Sequence, residues 1–506
     1  MHGAKVAGGL WRRINGHDGN FAFLMRPSTV LSLLLFITTG LLAFSASGQS
    51  TWRRTYGASG SDNGASVISC SDGGFLVAGS TGSFGGGAGD VYLLRLDDGG
   101  TLLWSRYFGG PDVDHAVACA EVDGGFVIAC TVGDGQHGSY DMRLLRTSDT
   151  GDVLWSVDYG DADWDLCRGM VVLADGFLLH GVAYSEAVPQ GAGVAIRVDW
   201  EGDLVWSYAQ GTPFFTEFNG AAVRMDGTIA LAGRRTIVEG DDDGLLLLLD
   251  AEGAQLWEAT WTASADVSFG DVAAGSNGNL VVCGRSRVGS AAQKIMLAGY
   301  DGAGGILWDR YIGNDTDAGA TAIQRAHGSG FVITGFTTVG SNSDMILTRV
   351  AEDGGFISGS NYGEGNRSMG LGVDSVPGEG YVAAGWIEGS GPGPRAVFVV
   401  KTDEVAFTAS NTITTFMDPV GIADPEVSAR SFVYPNPVSS GSLLSIGAAQ
   451  ETRTWELISM VGSIVSSGTL TAGQKQITLP GLRPGLYELV IWSDHRQQEC
   501  ARLLVE

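Results

Sequence analysis

Six acidic residues recur at a near-constant interval: Asp62, Asp114, Asp165, Glu217, Asp266 and Asp317. Carboxylates repeated around a common centre could draw in cations or sugar hydroxyls, and a pair held at a defined separation could hydrolyse glycosides. A repeated acid does not single out one such pair. Asp also caps tight turns through bonds to its own backbone, which is the competing reading. The run Asp241-Asp242-Asp243 offers hard oxygen ligands suited to calcium but lacks the EF-hand spacing, so a solvated charged turn competes with a metal role. Aromatic faces are the second resource. Trp164, Trp200, Trp261 and Trp386 each break the repeat described below, and Phe214, Phe215 and Phe218 share one loop. These are candidates for stacking on a ligand; the alternative is that they fill gaps between elements.

Other chemistry is poorly supplied. The five histidines beyond residue 48 (His115, His137, His180, His327 and His495) show no His-x-x-x-His spacing. There is no Gly-x-Ser-x-Gly elbow and no phosphate-binding loop; the glycines of 85–89 join two strands. None of the six cysteines forms Cys-x-x-Cys, which argues against a zinc cluster. Cys119 and Cys130 fall on adjacent strands and could pair, or stay buried as thiols. Acidic residues outnumber basic ones 56 to 30, a net charge of −26, which argues against nucleic acid and against docking on anionic lipid. An enzymatic reading would need non-repeating groups, such as Asp163, Glu186 or His115, to converge.

The elements that must position these residues are set by a repeat. Trp52, Trp104, Trp155, Trp206, Trp257 and Trp308 are spaced 52, 51, 51, 51 and 51 residues apart, and the next slot is Ser358. A second series, Gly79, Cys130, Gly181, Gly233, Gly284, Gly335 and Gly385, keeps the same period. Each unit holds four strand candidates, here lettered A to D. In the first they are 65–70, 75–79, 91–96 and 101–107, with Asp72-Gly73-Gly74 as the A–B hairpin. Strands B and C are apolar at nearly every position, the mark of a sheet covered on both faces, whereas D alternates as an outer edge does. Four strands per ~50 residues is the period of a β-propeller blade. Strands A to C occur seven times, the last set lacks a D strand, and a lone D-like strand opens the repeat region near 51–57. The sequence therefore predicts an all-β chain with a seven-bladed propeller over 51–403, closed by its N-terminal strand. An open solenoid is the rival, but it would need polar caps that are absent.

The run Asp97…Gly100-Thr-Leu-Leu-Trp104, with Asp149…Gly151…Trp155, Asp199…Gly202…Trp206 and Asp250…Gly253…Trp257, resembles the tryptophan-docking motif of quinoprotein-like propellers, and the repeats resemble those of secreted bacterial propeller proteins. The resemblance implies that each tryptophan packs against the neighbouring blade. Quinone-binding residues are missing, so no cofactor is expected beyond the calcium option.

Two flanking segments read as addresses. Residues 29–44 are almost wholly apolar, follow Arg26 and precede small residues, so 1–48 reads as a secretory signal peptide, with Met25 as an alternative start. The run of about 16 residues is short for a membrane span, and no transmembrane anchor is expected in the mature chain. Residues 404–430 lose the repeat and read as a linker. Residues 431–506 read as a small β-sandwich. Tyr434-Pro435-Asn436-Pro437, then Pro484-Gly485-Leu486-Tyr487, then the basic-aliphatic end at 501–505 resemble the type A C-terminal sorting domain of type IX secretion cargo. That resemblance implies recognition by the type IX machinery, export across the outer membrane, removal of the domain, and release or attachment to surface glycolipid. The expected function is a secreted or cell-surface, non-catalytic module that binds a glycan or a protein. A carbohydrate-active hydrolase or lyase and a structural adhesin are the alternatives.

Overall fold

The structure is a computed structural model. It describes residues 50–133, 135–211, 215–238, 241–262, 266–313, 315–363, 365–408, 412–417, 422–423, 443–445, 453–459, 464–471, 476–483, 485–492 and 498–505. The expected signal peptide lies outside them.

Seven four-stranded antiparallel units follow one another. Blade 1 comprises A Asp62–Ser69, B Phe75–Thr81, C Asp90–Leu96 and D Leu102–Phe108. Blades 2 to 6 repeat it over 115–159, 165–210, 216–261, 266–312 and 318–362. Blade 7 takes A, B and C from Ser368–Val376, Gly380–Glu388 and Arg395–Thr402, and its D strand is Trp52–Gly57 from the other end of the repeat region. That strand pairs antiparallel with strand C from Trp52↔Lys401 to Tyr56↔Val397.

The ring is visible in the packing. Among the described residues, the buried apolar side chains of the blades form seven clusters, each shared by two adjacent blades, and one of them joins Val67, Phe75 and Tyr92 of blade 1 to Val382, Val397 and Val399 of blade 7. Strand C of blade 1 is buried at every position, as a strand between two sheets must be, while its D strand is largely half-exposed. Closing the ring pairs a strand edge that would otherwise invite association with other chains.

The stretch 404–430, expected as a linker, carries regular structure. Ile413–Met417 pairs in parallel with the closing strand of blade 7, and Ile422–Ala423 pairs in parallel with strand D of blade 1. Phe416 stacks on Tyr56 with ring centroids 5.5 Å apart, and Arg54 lies over the same ring. The open backbone edge of strand D supplies the reason: its unpaired groups accept a further strand. Beyond this, six short strands form two sheets, a pair (Leu443–Ser445 with Gln476–Thr478) and a four-stranded sheet in the order Ile464–Leu470, Arg453–Ser459, Gly485–Trp492, Gln498–Val505.

Candidate functional site

Three of the repeated acids are turn residues. Asp62, Asp114 and Asp165 each accept the amide four residues earlier, from Ala58, Gly110 and Asp161, at 2.7 to 3.0 Å. The series also breaks. In the register of the blades, the positions matching Asp62, Asp114 and Asp165 are Thr216, Val267, Ala318 and Ser368, so Glu217, Asp266 and Asp317 sit one residue out of step. The acids therefore make no uniform ring.

Asp241, Asp242 and Asp243 do not converge either. They lie in strand C of blade 4, where successive side chains alternate faces. Asp241 is exposed. Asp242 accepts Arg234 at 2.5 Å and Thr236 at 2.6 Å. Asp243 is buried, which pushes its carboxyl up, with the Arg235 guanidinium pulling the other way.

Four aromatic rings do converge. Antiparallel strands send the B–C and D–A connections to one face of the ring and the A–B and C–D turns to the other. On the first face Tyr140 meets Trp164 edge-on at 5.5 Å, Trp164 meets Tyr184 edge-on at 6.2 Å, and Tyr184 faces Phe215 at 6.5 Å. Trp164 is 52 % exposed. Arg234 lies 4.8 Å above the Phe215 ring and donates to Glu217 at 2.7 Å, while Arg168 donates to the other oxygen of Glu217 at 3.3 Å. The result is an aromatic strip across blades 2 to 4, ending in an arginine–carboxylate network. Trp164 was legible as a repeat-breaking residue and Phe215 as part of an aromatic loop. Tyr140, Tyr184, Arg168 and Arg234 were not, because nothing in one dimension shows that they meet.

The other aromatic candidates separate. Trp200 sits in a C–D turn on the opposite face, edge-on to Phe177 at 5.0 Å. Trp261 packs half-buried against the core between blades 4 and 5. Trp386 is nearly buried, with Arg395 4.2 Å above its ring. Phe218 is fully buried in the core between blades 3 and 4, and Phe214 lies outside the described residues.

The seven A strands line a central cavity of about 500 Å³. Each carries a β-bulge at the same place, and the extra residues are Ala65, Val117, Arg168, Asn219, Gly270, Thr321 and Leu371. Bulges re-aim side chains. The carboxylates here bind backbone. Asp271 accepts the Val272 and Ile323 amides at 2.8 and 3.0 Å, stapling blade 5 to blade 6, and burial pushes its carboxyl up to about 7. Asp374 accepts Ser69 and Ser375 amides, both at 2.8 Å, stapling blade 7 to blade 1. His180 fits against Gly169, where a Cβ would lie 2.6 Å from Nε2; its Nδ1 donates to the Phe218 carbonyl at 3.1 Å, and burial lowers it to about 4, so the ring is neutral. Asp163, Glu186 and His115 do not line this cavity, and the first two are exposed. Cys119 and Cys130 are buried free thiols: Cys119 pairs across from Ile128 and Cys130 from Ala116, so they do not oppose each other. Among the described residues, no group of three or more His, Cys, Asp or Glu side chains is placed to hold a metal ion.

The C-terminal segment is decided by comparison. Residues 432–506 match the secretion system C-terminal sorting domain. The sorting domain is of the type IX kind and implies recognition by that machinery and export to the cell surface or extracellular space. Within it, Gly485 opens a central strand and the Tyr487 hydroxyl donates to the Arg483 carbonyl at 2.9 Å. Tyr434, Pro435, Asn436, Pro437 and Pro484 lie outside the described residues. Among the described residues no helix is long and apolar enough to cross a membrane.

No curated protein matches the chain. Solved structures similar to it include Sqt1 from Chaetomium thermophilum (14 % identity over 72 % of this chain and 86 % of that one, TM-score 0.42). The β-propeller domain of the Trilobed protease from Pyrococcus furiosus is similar at 11 % identity over 72 % and 97 %, TM-score 0.41. A protein of unknown function from Dyadobacter fermentans is similar at 12 % identity over 69 % and 97 %, TM-score 0.39. At these scores, the seven-bladed assignment rests on this chain's own sheet order.

Proposed function

We propose that the chain is an exported propeller that binds glycans without catalysis, through the aromatic strip and arginine–carboxylate network of blades 2 to 4. The observation that carries this reading is the contact series Tyr140–Trp164–Tyr184–Phe215 beside Arg168, Glu217 and Arg234. Sugar rings offer weakly polar C–H faces that pack on exposed aromatic faces. Their hydroxyl pairs suit the fixed fork of a guanidinium and the two oxygens of a carboxylate. Trp164 supplies the exposed face, and the Arg234–Glu217 pair lies at the end of the strip. Propeller loops on one face are a usual place for such contacts, because they are free to vary while the blades hold them.

A glycan array probed with the full mature chain tests the proposal. Selective binding is expected, weakened at least about ten-fold by Trp164→Ala, the order of one lost stacking contact. An array silent for the unaltered chain, or binding that Trp164→Ala leaves unchanged, would overturn it.

A further inference from the structure

At two neighbouring blade junctions a turn-capping aspartate faces a second buried carboxylate, and the turn accounts for the first but not for the pairing. Strand C of blade 1 begins at Asp90, and strand A of blade 2 is preceded by Asp114. At the next junction the same places are Asp141 and Asp165. The four side chains are buried, at 1 %, 0 %, 0 % and 6 % exposure. Neither oxygen of Asp90 makes a hydrogen bond, and neither does Oδ1 of Asp141, although all three atoms are fully buried.

Each pair faces one point. A Cβ on Gly160 would lie 2.6 Å from Asp141 Oδ1 and 2.7 Å from Asp165 Oδ2. A Cβ on Gly109 would lie 2.6 Å from Asp114 Oδ2 and closer still to Asp90. That point adjoins the glycine Cα, so no ion sits on it, but it shows that the two carboxylates approach within the span of one coordination shell. The surrounding backbone is also matched. The Asp114 and Asp165 amides donate to the Gly89 and Tyr140 carbonyls at 2.7 and 2.8 Å. Carbonyl oxygens crowd the glycines of both B–C loops: a Cβ on Gly87 would meet those of Gly110 and Asp112, and one on Gly138 those of Asp161 and Ala162.

The propeller itself does not require these pairs. At the other five junctions the matching residues are Ala192 with Thr216, Asp243 with Val267, Lys294 with Ala318, Asp344 with Ser368, and Ala396 with Asp62. Both members are acids at two junctions only. Two buried like charges repel unless a proton or a cation stands between them.

We propose that each of the two junctions binds one calcium ion, between Asp90 and Asp114 and between Asp141 and Asp165. Calcium takes six to eight hard oxygen ligands at ~2.3–2.6 Å and accepts carboxylates, backbone carbonyls and water in irregular arrangements, whereas magnesium demands a near-ideal octahedron. Two carboxylates among backbone carbonyls, without cysteine or histidine ligands, suit calcium.

The test is calorimetric titration of CaCl2 into the chelator-stripped mature chain, followed by thermal unfolding with and without millimolar CaCl2. Two ions per chain are expected, with an unfolding temperature a few degrees higher in calcium. Asp90→Asn and Asp141→Asn should each halve the stoichiometry, and the double variant should remove both the heat and the shift. No heat and no shift in the unaltered chain would overturn the proposal in favour of a shared proton, and undiminished binding by the double variant would place the ion elsewhere. Terbium luminescence sensitised by nearby aromatics, displaced by calcium, gives a readout on the unaltered chain should a variant fail to fold. Its absence would count equally against the sites.

Discussion

The Trp206 indole lies where a Cβ on Gly253 would stand, 2.8 Å from the ring, and donates its Nε1–H to the Ala251 carbonyl of the same turn at 3.0 Å. The ring contact recurs at five other junctions, Trp52 on Gly100, Trp104 on Gly151, Trp155 on Gly202, Trp257 on Gly304 and Trp308 on Gly354, and Trp52 and Trp257 repeat the indole bond, to the Asp98 and Gly302 carbonyls. All six glycines have positive φ. At the seventh junction both partners change together. Ser358 replaces the tryptophan, and Ala406, with φ 58°, replaces the glycine; the Tyr362 hydroxyl still binds the Ala406 carbonyl at 2.6 Å. Where no indole covers the turn, a methyl group is tolerated there. The tryptophans thus do the structural work that the resemblance implied.

Gly253→Ala should destabilise the propeller by about 2 kcal/mol, since it adds both left-handed strain and a clash with the indole. Gly227→Ala is the control: its φ is also positive, but nothing lies within 4 Å of the added Cβ, so its cost should be about half as large. Urea unfolding of the two variants measures the difference.

Deleting residues 50–57 should open the ring. It removes the fourth strand of blade 7, exposes the edge of Arg395–Thr402 and takes Tyr56 and Trp52 out of the core shared by blades 1 and 7. The expected outcome is association into oligomers, read by light scattering, with an unfolding temperature lower by roughly 10 °C or more. Lys401, fully buried and paired with Asp98 and Glu379, ties the same seam.

Asp271 gives a pH signature. Its folded carboxyl titrates at about 7, above the ordinary value near 4 of the unfolded chain. The folded state therefore holds a proton that the unfolded state has lost between those values, and stability from this residue falls as pH rises from about 4 to about 7. Asp271→Asn carries no such dependence. The difference in unfolding free energy, variant minus unaltered chain, should rise by about 4 kcal/mol across that window and level off above it. Denaturant curves at pH 4.5, 6 and 7.5 would show it, and a flat difference would contradict the burial argument.

Removing residues 432–506 should leave the chain in the periplasm of a host with type IX secretion, while the full chain reaches the surface or the medium. Immunoblots of periplasm, outer membrane and medium check this.

Much of the architecture was legible because it is periodic. Two marker series with one 51-residue period, continuous apolar runs in strands B and C, and a lone D strand before the first A strand sufficed for seven blades and their closure. The short strands Ile413–Met417 and Ile422–Ala423 were not legible as strand, since their pairing depends on the open edge of a neighbour and not on their own pattern. The candidate sites were less legible than the fold. Trp164 stood out as a departure from the repeat and Phe215 as part of an aromatic loop, while the triple aspartate, expected as a charged turn with calcium as the lesser option, lies in a strand whose alternation separates its members.

The sequence by itself determined the repeat, the blade count, the glycines that admit each tryptophan and the C-terminal address. These follow from local backbone preference and from apolar periodicity, which are written along the chain. Only the tertiary structure decided which side chains meet. Asp90 and Asp114, or Trp164 and Phe215, are brought together because adjacent blades present their loops on one face, and a shift of one residue in register removes Glu217, Asp266 and Asp317 from the positions their spacing suggested. Register is fixed by the packing of whole sheets against one another, a cooperative quantity that single-residue spacing does not carry.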